Sequence, residues 1–152
     1  MLNKLILTPE KRDILKSKMI YSFLWIPDEA RTERAIDLFI DYLFSDSTIS
    51  IFYEIGNFDG IVGFYDIIPE YKCAFLARLW NRALWTPSLA KEIKAMISEF
   101  RQTWQMKRIG LATADERLGK FAKLMGFKAE GTQKNNFRFE GKLYTVFLYR
   151  LV

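Results

Sequence analysis

No histidine occurs among these 152 residues, and there is one cysteine, Cys73. Without histidine, a Ser-His-Asp triad and a Cys-His dyad are both excluded. The usual Cys/His zinc site falls with them, and no metal is expected. A single thiol allows no disulfide within the chain; lying in an apolar run, Cys73 reads as a small core residue. Acid–base chemistry is therefore left to carboxylates, tyrosine, lysine, water or the substrate itself. No apolar run approaches the ~20 residues of a membrane span. Met1–Leu7 is too short an apolar stretch for a cleaved signal, so a cytoplasmic protein with no membrane partner is expected. There is also no internal repeat, low-complexity tract or linker, and the length suits one domain over residues 1–152.

What is present is a packed-domain composition: half the residues are hydrophobic and 16% are aromatic, too apolar for a disordered chain. Charge is unevenly spread. Residues 1–71 carry 7 Lys/Arg against 12 Asp/Glu, whereas residues 72–152 carry 16 against 6. A basic second half points to a polyanion held there, either a phosphate-rich small molecule or a nucleic-acid backbone. An ordinary solvated surface would carry the same imbalance.

Periodicity and punctuation set out the elements. Leu2–Leu7 reads as a strand. Thr8-Pro9 starts a helix toward Tyr21, with threonine as cap and proline at the first helical position; Ile14, Leu15, Met19 and Ser22-Phe23 supply its apolar side. A second helix runs from about Arg31 to Phe44, with Ile36, Phe39, Ile40 and Leu43 on one side and Asp37 and Asp41 elsewhere. Ser45–Ser47 is a turn. Thr48–Ile55 and Ile61–Ile68 flank a hairpin turn at Gly56–Gly60, where Asp59-Gly60 is a strong signal. Tyr71–Trp80 is an apolar central strand that contains one odd charge, Arg78, which must line a cleft or find a partner such as Asp66. Thr86-Pro87 starts the clearest helix, striped by Leu89, Ile93, Met96, Ile97, Phe100 and Trp104. Ile109, Leu111 and Ala112 read as a short buried strand. Asp115 caps a short helix with Leu118, Phe121, Ala122 and Met125 on one face, and Gly126 ends it, because glycine enters the left-handed region cheaply. Phe127 opens a further strand, and Lys142–Leu151 is the last.

The unit around Leu124-Met125-Gly126-Phe127, with its capped helix before and a final strand after, resembles the C-terminal half of the GNAT (general N-acetyltransferase) family. The order β-α-α-β-β-β-α-β-α-β-β and the Ile61-Val62-Gly63 strand before the central helix extend the resemblance over nearly the whole chain. It implies an α/β (α+β) fold with a mixed, mostly antiparallel central sheet, helices on both faces and a splay between the two middle strands. It further implies acetyl-CoA, or another acyl-CoA, in that splay, with its pyrophosphate at the N-terminus of the central helix. The cofactor contacts so implied are Leu79, Trp80, Arg82, Trp85, Thr86, Ser88, Asp115 and Phe121. Within the phosphate loop Arg82 matches the family, whereas Trp85 and Pro87 stand where it has glycines; proline offers no N–H, and Trp85 is expected to fill or cover the phosphate's place. Ala122 stands where the family often has a general-acid tyrosine. Glu70, Asp66 and Tyr71 are then the candidate catalytic residues, with Tyr65 and Tyr144 as further candidate acids.

Two functions follow as expectations. One is an acyl-CoA-dependent N-acyltransferase acting on a small-molecule or protein amine. The other is a relative of that family without acetyl-CoA chemistry: a phage-type DNA-modifying or virion-associated protein, or an interaction module dimerising through its aromatic final strands. For the nucleic-acid branch, Lys134, Phe137, Arg138 and Phe139 interleave aromatic and basic residues, although alternation alone predicts a hairpin strand.

Overall fold

Both Thr-Pro pairs start helices. In the computed structural model, which describes residues 1–21, 25–45 and 49–151, α1 (Pro9–Tyr21) begins where the Lys11 N–H donates to Thr8 Oγ1 at 3.2 Å. The N–H of Leu89 likewise donates to Thr86 Oγ1 at 3.2 Å at the start of the 18-residue central helix, Pro87–Trp104. The expected face residues Ser22 and Phe23, and the positions Asp46, Ser47 and Thr48, lie outside the described residues.

Along the chain, β1 (Leu2–Lys4) and α1 are followed by α2 (Glu33–Phe44), then by the strands β2 (Ile51–Ile55), β3 (Gly60–Ile68) and β4 (Lys72–Leu79). The central helix is α3; after it come β5 (Arg108–Thr113), α4 (Glu116–Leu124), β6 (Lys128–Phe139) and β7 (Lys142–Leu151). This is the expected order. β1 is shorter than Leu2–Leu7: Leu5 still donates to the Phe52 carbonyl, but the chain then turns away and leaves Ile6 exposed. α2 starts at Glu33, not Arg31, because Thr32 is the cap, accepting from the Ala35 N–H. Arg31 instead closes the end of α1, its guanidinium donating twice to the Ile20 carbonyl.

The sheet runs β1-β2-β3-β4-β5-β7-β6, and β4–β5 is its parallel pair. α3 and α4 cover one face. The core there includes Phe64 stacked on Phe100 at 3.7 Å, with Leu89, Ile93, Ile97, Phe121 and Ala122. α1 and α2 cover part of the other face around Leu15, Met19, Ile36, Ile40 and Leu43. Each fully buried side chain of this kind contributes roughly 1.5–3 kcal/mol of transfer free energy. The acidic side of α2 is paired with α1: Asp37 meets Arg12 and Lys16, and Asp41 meets Arg12. Much of the negative charge of the first half is thus matched locally. Ala112 was expected in the core; it is exposed, because β5 is covered only on the face carrying Ile109, Leu111 and Thr113.

The segment between α1 and α2 is tied to the far edge of the sheet. The Asp28 carboxylate accepts the N–H groups of Glu140 (2.8 Å) and Gly141 (2.9 Å) in the β6–β7 turn. These two amides hold its carboxyl below the usual carboxylate range. A depressed folded-state value means that the contribution is present above the unfolded carboxylate value and is lost as pH falls through the folded one. Asp28→Ala is therefore expected to speed hydrogen exchange at the Glu140 and Gly141 amides near neutral pH. Acidification below the folded-state value does the same in the parent protein. Unchanged protection in the variant would remove the clamp.

Candidate functional site

β4 and β5 are partners over three residues only. Lys72, Cys73 and Ala74 pair with Arg108, Ile109 and Gly110; beyond them the strands separate. β4 continues to Leu79 on the β3 side, where Gly60 pairs with Leu79 and Val62 with Ala77. Alternate N–H and C=O groups of a strand point to opposite edges. Half of the backbone groups over residues 75–79 therefore face a gap and not a partner strand, which gives the sheet the expected splay.

Two cavities open from it. On the α1–α2 face a small pocket is bounded by Trp25, Tyr65, Leu76, Arg78 and Ala112. Arg78 also lines a cleft of about 310 Å³ that reaches Leu79, Trp80, Arg82, Trp85, Asp115 and Arg117, with Lys18 and Tyr21 of α1 at its edge. On the other side of Trp85 lies a groove of about 690 Å³ between α3 and α4. Its floor includes Trp85, Ala90, Phe121 and Leu124, and its rim carries Arg82, Lys91, Lys94, Arg117 and Lys120 with no carboxylate among the lining residues.

The loop after β4 is held by the β2–β3 hairpin. The Asp59 carbonyl accepts from Trp80 and Asn81, and Trp80 Nε1–H donates to the Phe58 carbonyl at 2.8 Å. Trp85, expected to fill or cover the phosphate's place, leans on Phe121 with ring centroids 4.6 Å apart and stands between cleft and groove. The start of α3 is poor in donors. Pro87 has no N–H, Leu89 donates to Thr86 Oγ1 and Ala90 to the Thr86 carbonyl, which leaves the Ser88 amide of the first turn. Ser88 is exposed and its side chain lines neither cavity.

Arg78 is the cation that the sequence singled out. It does not meet Asp66, which is bonded to the Tyr42 hydroxyl. Its guanidinium lies over the Trp25 ring at 5.3 Å and donates to the neighbouring Ala77 carbonyl at 2.9 Å. Burial pushes its pKa down to about 10, opposed by the charge of Asp115; it remains a cation at neutral pH. Among the described residues no carboxylate forms an ion pair with it. Tyr65 shares its cavity, and burial raises that phenol above its usual value, so it stays protonated at neutral pH.

The three candidate catalytic residues are not brought to this place. Tyr71 lies seven residues before Arg78, roughly 23 Å away at ~3.3 Å per residue. Glu70 donates its N–H to the Trp104 carbonyl at the far end of α3, and Asp66 sits at a bulge in β3 with a positive φ of 51°. These three mark the closed end of β4–β5, opposite to the splay. Tyr144 packs beside Phe137 and Phe139 at the sheet's other edge. Ala122 is fully buried. Of the expected cofactor contacts, Leu79, Trp80, Arg82, Trp85 and Asp115 line the cleft, and Thr86 and Phe121 join Arg82 and Trp85 in the groove. The base-stacking expectation for Phe137 and Phe139 meets a buried Phe139 under Arg31 and a half-buried Phe137 in the same cluster.

Lys18 and Tyr21 were not foreseen at the cleft, nor Trp25 in the small pocket beside it; nothing in their local pattern marks them, since these residues meet β4 only in the folded chain. The groove cations had a signal. Lys91–Lys94 and Arg117–Lys120 are both i, i+3 pairs, each beside an apolar stripe, on two helices separated by one strand.

No known family profile matches the sequence, and no curated protein matches it. Solved structures do. A spermidine N-acetyltransferase from Vibrio cholerae, in complex with CoA and spermine, superposes with a TM-score of 0.71 at 14% identity over 99% of this chain and 94% of that one. The ribosomal alpha-N-protein acetyltransferase RimL, in complex with coenzyme A, gives 0.70 at 15% over 99% and 93%. A GNAT-family protein from Chromobacterium violaceum gives 0.66 at 12% over 99% and 81%. At these identities the likeness is one of fold: the chain has the GNAT fold.

Proposed function

We propose that the protein is an acyl-CoA-dependent N-acyltransferase, transferring an acyl group to an amine. The observation that carries this reading is an apolar groove rimmed by five cations, set next to the cleft at the splay with which it shares Arg82, Trp85 and Arg117. A ligand suited to the groove and the splay is long and flexible, apolar along its middle, polyanionic at one end and reactive at the other. Acyl-CoA has that form. The residues fit it along the groove, where Lys91, Lys94 and Lys120 would meet phosphates and the Trp85–Phe121 pair would support an aromatic base. They fit it less at the start of α3, where the amides are mostly spent.

Bound acyl-CoA would supply an activated acyl carbon. The chain's own part is to place that carbon in the splay, with unpaired strand amides available as donors to its carbonyl oxygen. The amine nitrogen forms its bond to carbon as the carbon–sulfur bond breaks, and the amine's proton leaves to solvent. Tyr65, kept neutral by burial, would donate a proton to the departing sulfur. Tyr65→Phe is therefore expected to lower kcat roughly 100-fold, the lower end for a general acid, with the KM for acetyl-CoA little changed. An unaltered kcat would remove that role.

The first test is a titration with acetyl-CoA, using desulfo-CoA as control, followed by tryptophan fluorescence. Trp85 divides cleft from groove and reports on both. Saturable quenching supports the reading, and an amine screen follows. A flat response, repeated by calorimetry, overturns it in favour of a GNAT-fold protein without acetyl-CoA chemistry, the reading that Trp85 and Pro87 in the phosphate loop favour.

A further inference from the structure

We infer that the acceptor amine carries an anionic group, a carboxylate or a phosphate, bound by Arg78 with Lys18 beside it; this rests on the acyltransferase reading. The two faces of the splay differ. Phe75, Ala77 and Leu79 pack toward α3 and α4, whereas Leu76, Arg78 and Trp80 face the α1–α2 side. The acyl donor's groove lies on the first side, so the acceptor enters from the second, where Arg78 is the cation deepest in the wall.

Three observations define what Arg78 can take. Its only described hydrogen bond uses Nη1 on a neighbouring carbonyl, which leaves the outward edge of the fork with donors to spare. Its aromatic support from Trp25 holds the guanidinium plane in place. Lys18, half-buried at the same cleft, forms no ion pair among the described residues either. The one carboxylate lining the cleft, Asp115, uses Oδ1 to cap α4. Such a site is net positive, and it repels an ammonium group while attracting a carboxylate or phosphate. The same positive field lowers the pKa of an amine placed beside it and so favours the neutral form that attacks. No carboxylate base then has to stand at the splay, which agrees with Glu70 and Asp66 being remote. A polyamine would gain nothing here: every further ammonium adds repulsion.

The test compares matched probes by calorimetry on CoA-saturated protein. γ-Aminobutyrate against putrescine tests the carboxylate, and phosphoethanolamine against ethanolamine tests the phosphate. At least one anionic probe is expected to bind tenfold or more tightly than its partner, in keeping with charge-assisted hydrogen bonds. Arg78→Gln is expected to abolish that preference and Arg78→Lys to restore part of it. Lys18→Ala, at a half-buried position in the last turn of α1 outside the core, is expected to weaken it severalfold and serves if Arg78→Gln fails to fold. Equal binding within both pairs, no binding of either anionic probe, or a preference that survives Arg78→Gln overturns the inference. Acetyl-CoA binding with any of those results leaves the acyltransferase reading standing. Absent CoA binding overturns that reading instead, and the same probes titrated without CoA then decide whether Arg78 holds an anion.

Discussion

Gly63→Val is expected to leave the protein unfolded or insoluble at ordinary temperature. Gly63 is buried in β3 opposite Phe52 of β2. A Cβ there would overlap the Ile51 carbonyl oxygen and come within 2.6 Å of Phe52 Cδ1 and 2.8 Å of Phe52 Cα. Two of those three atoms are backbone, in a strand held by β1 on one side and β3 on the other. No side-chain rotation relieves the contact, so the strands must part. Ordinary overpacking costs about 1–3 kcal/mol; forcing apart two central strands is expected to cost about 4 kcal/mol or more, against a total of roughly 5–15 kcal/mol for a domain of this kind. Gly131→Val is the control. It too lies in a strand, but a Cβ there meets nothing within 4 Å, and a change within about 1 kcal/mol is expected. Thermal melting by circular dichroism, with soluble yield, decides. A Gly63→Val protein melting like the parent would mean that β2 and β3 are not packed as described.

Reversing the groove charge should have the largest effect on ligand binding. Lys91 and Lys94 on α3 and Lys120 on α4 are exposed and rim the apolar groove. None of them takes part in a described ion pair, so replacing all three by glutamate leaves the core untouched. Each exposed lysine–phosphate contact contributes on the order of 1 kcal/mol. Three lost contacts correspond to about 100-fold in affinity for acetyl-CoA, before added repulsion. The loss should shrink as salt rises, since exposed charges are screened. Calorimetry at two ionic strengths reads both effects. An unchanged affinity would place the polyanion elsewhere on the chain.

Much of the fold was open to a reader of the residues. The capping threonines Thr8 and Thr86 sit within three residues of the amides they accept; Thr32, in place of the expected start at Arg31, is just as local. The Leu89–Phe100 stripe and the Gly126 stop, with φ at 95°, are equally local. Arg78 was conspicuous because a charge inside an apolar strand demands a partner. What could not be read was which partner. Asp66 seemed near in sequence, yet a bulge between Tyr65 and Ile68 turns it toward Tyr42 of α2. Glu70 was expected near the start of the central strand, and it lies there, in the turn before β4; that start is the closed end of the β4–β5 pair.

Cap, stripe, turn and strand order depend on contacts between residues three or four apart, or on alternation along one strand, and such information is written in the sequence itself. The functional arrangement depends on lateral neighbours. β5 inserts beside β4, pairs for three residues and then departs toward β7. That departure opens the splay, where among the described residues no carboxylate forms an ion pair with Arg78, and where Lys18 of α1 and Lys120 of α4 line the cavities on either side of Trp85. No local rule encodes where two parallel strands part, because the outcome is set by the helices packed on both faces and by the competing antiparallel partner. The sequence alone therefore determined the elements and their order; tertiary packing alone decided which end of the sheet opens and which charges meet there.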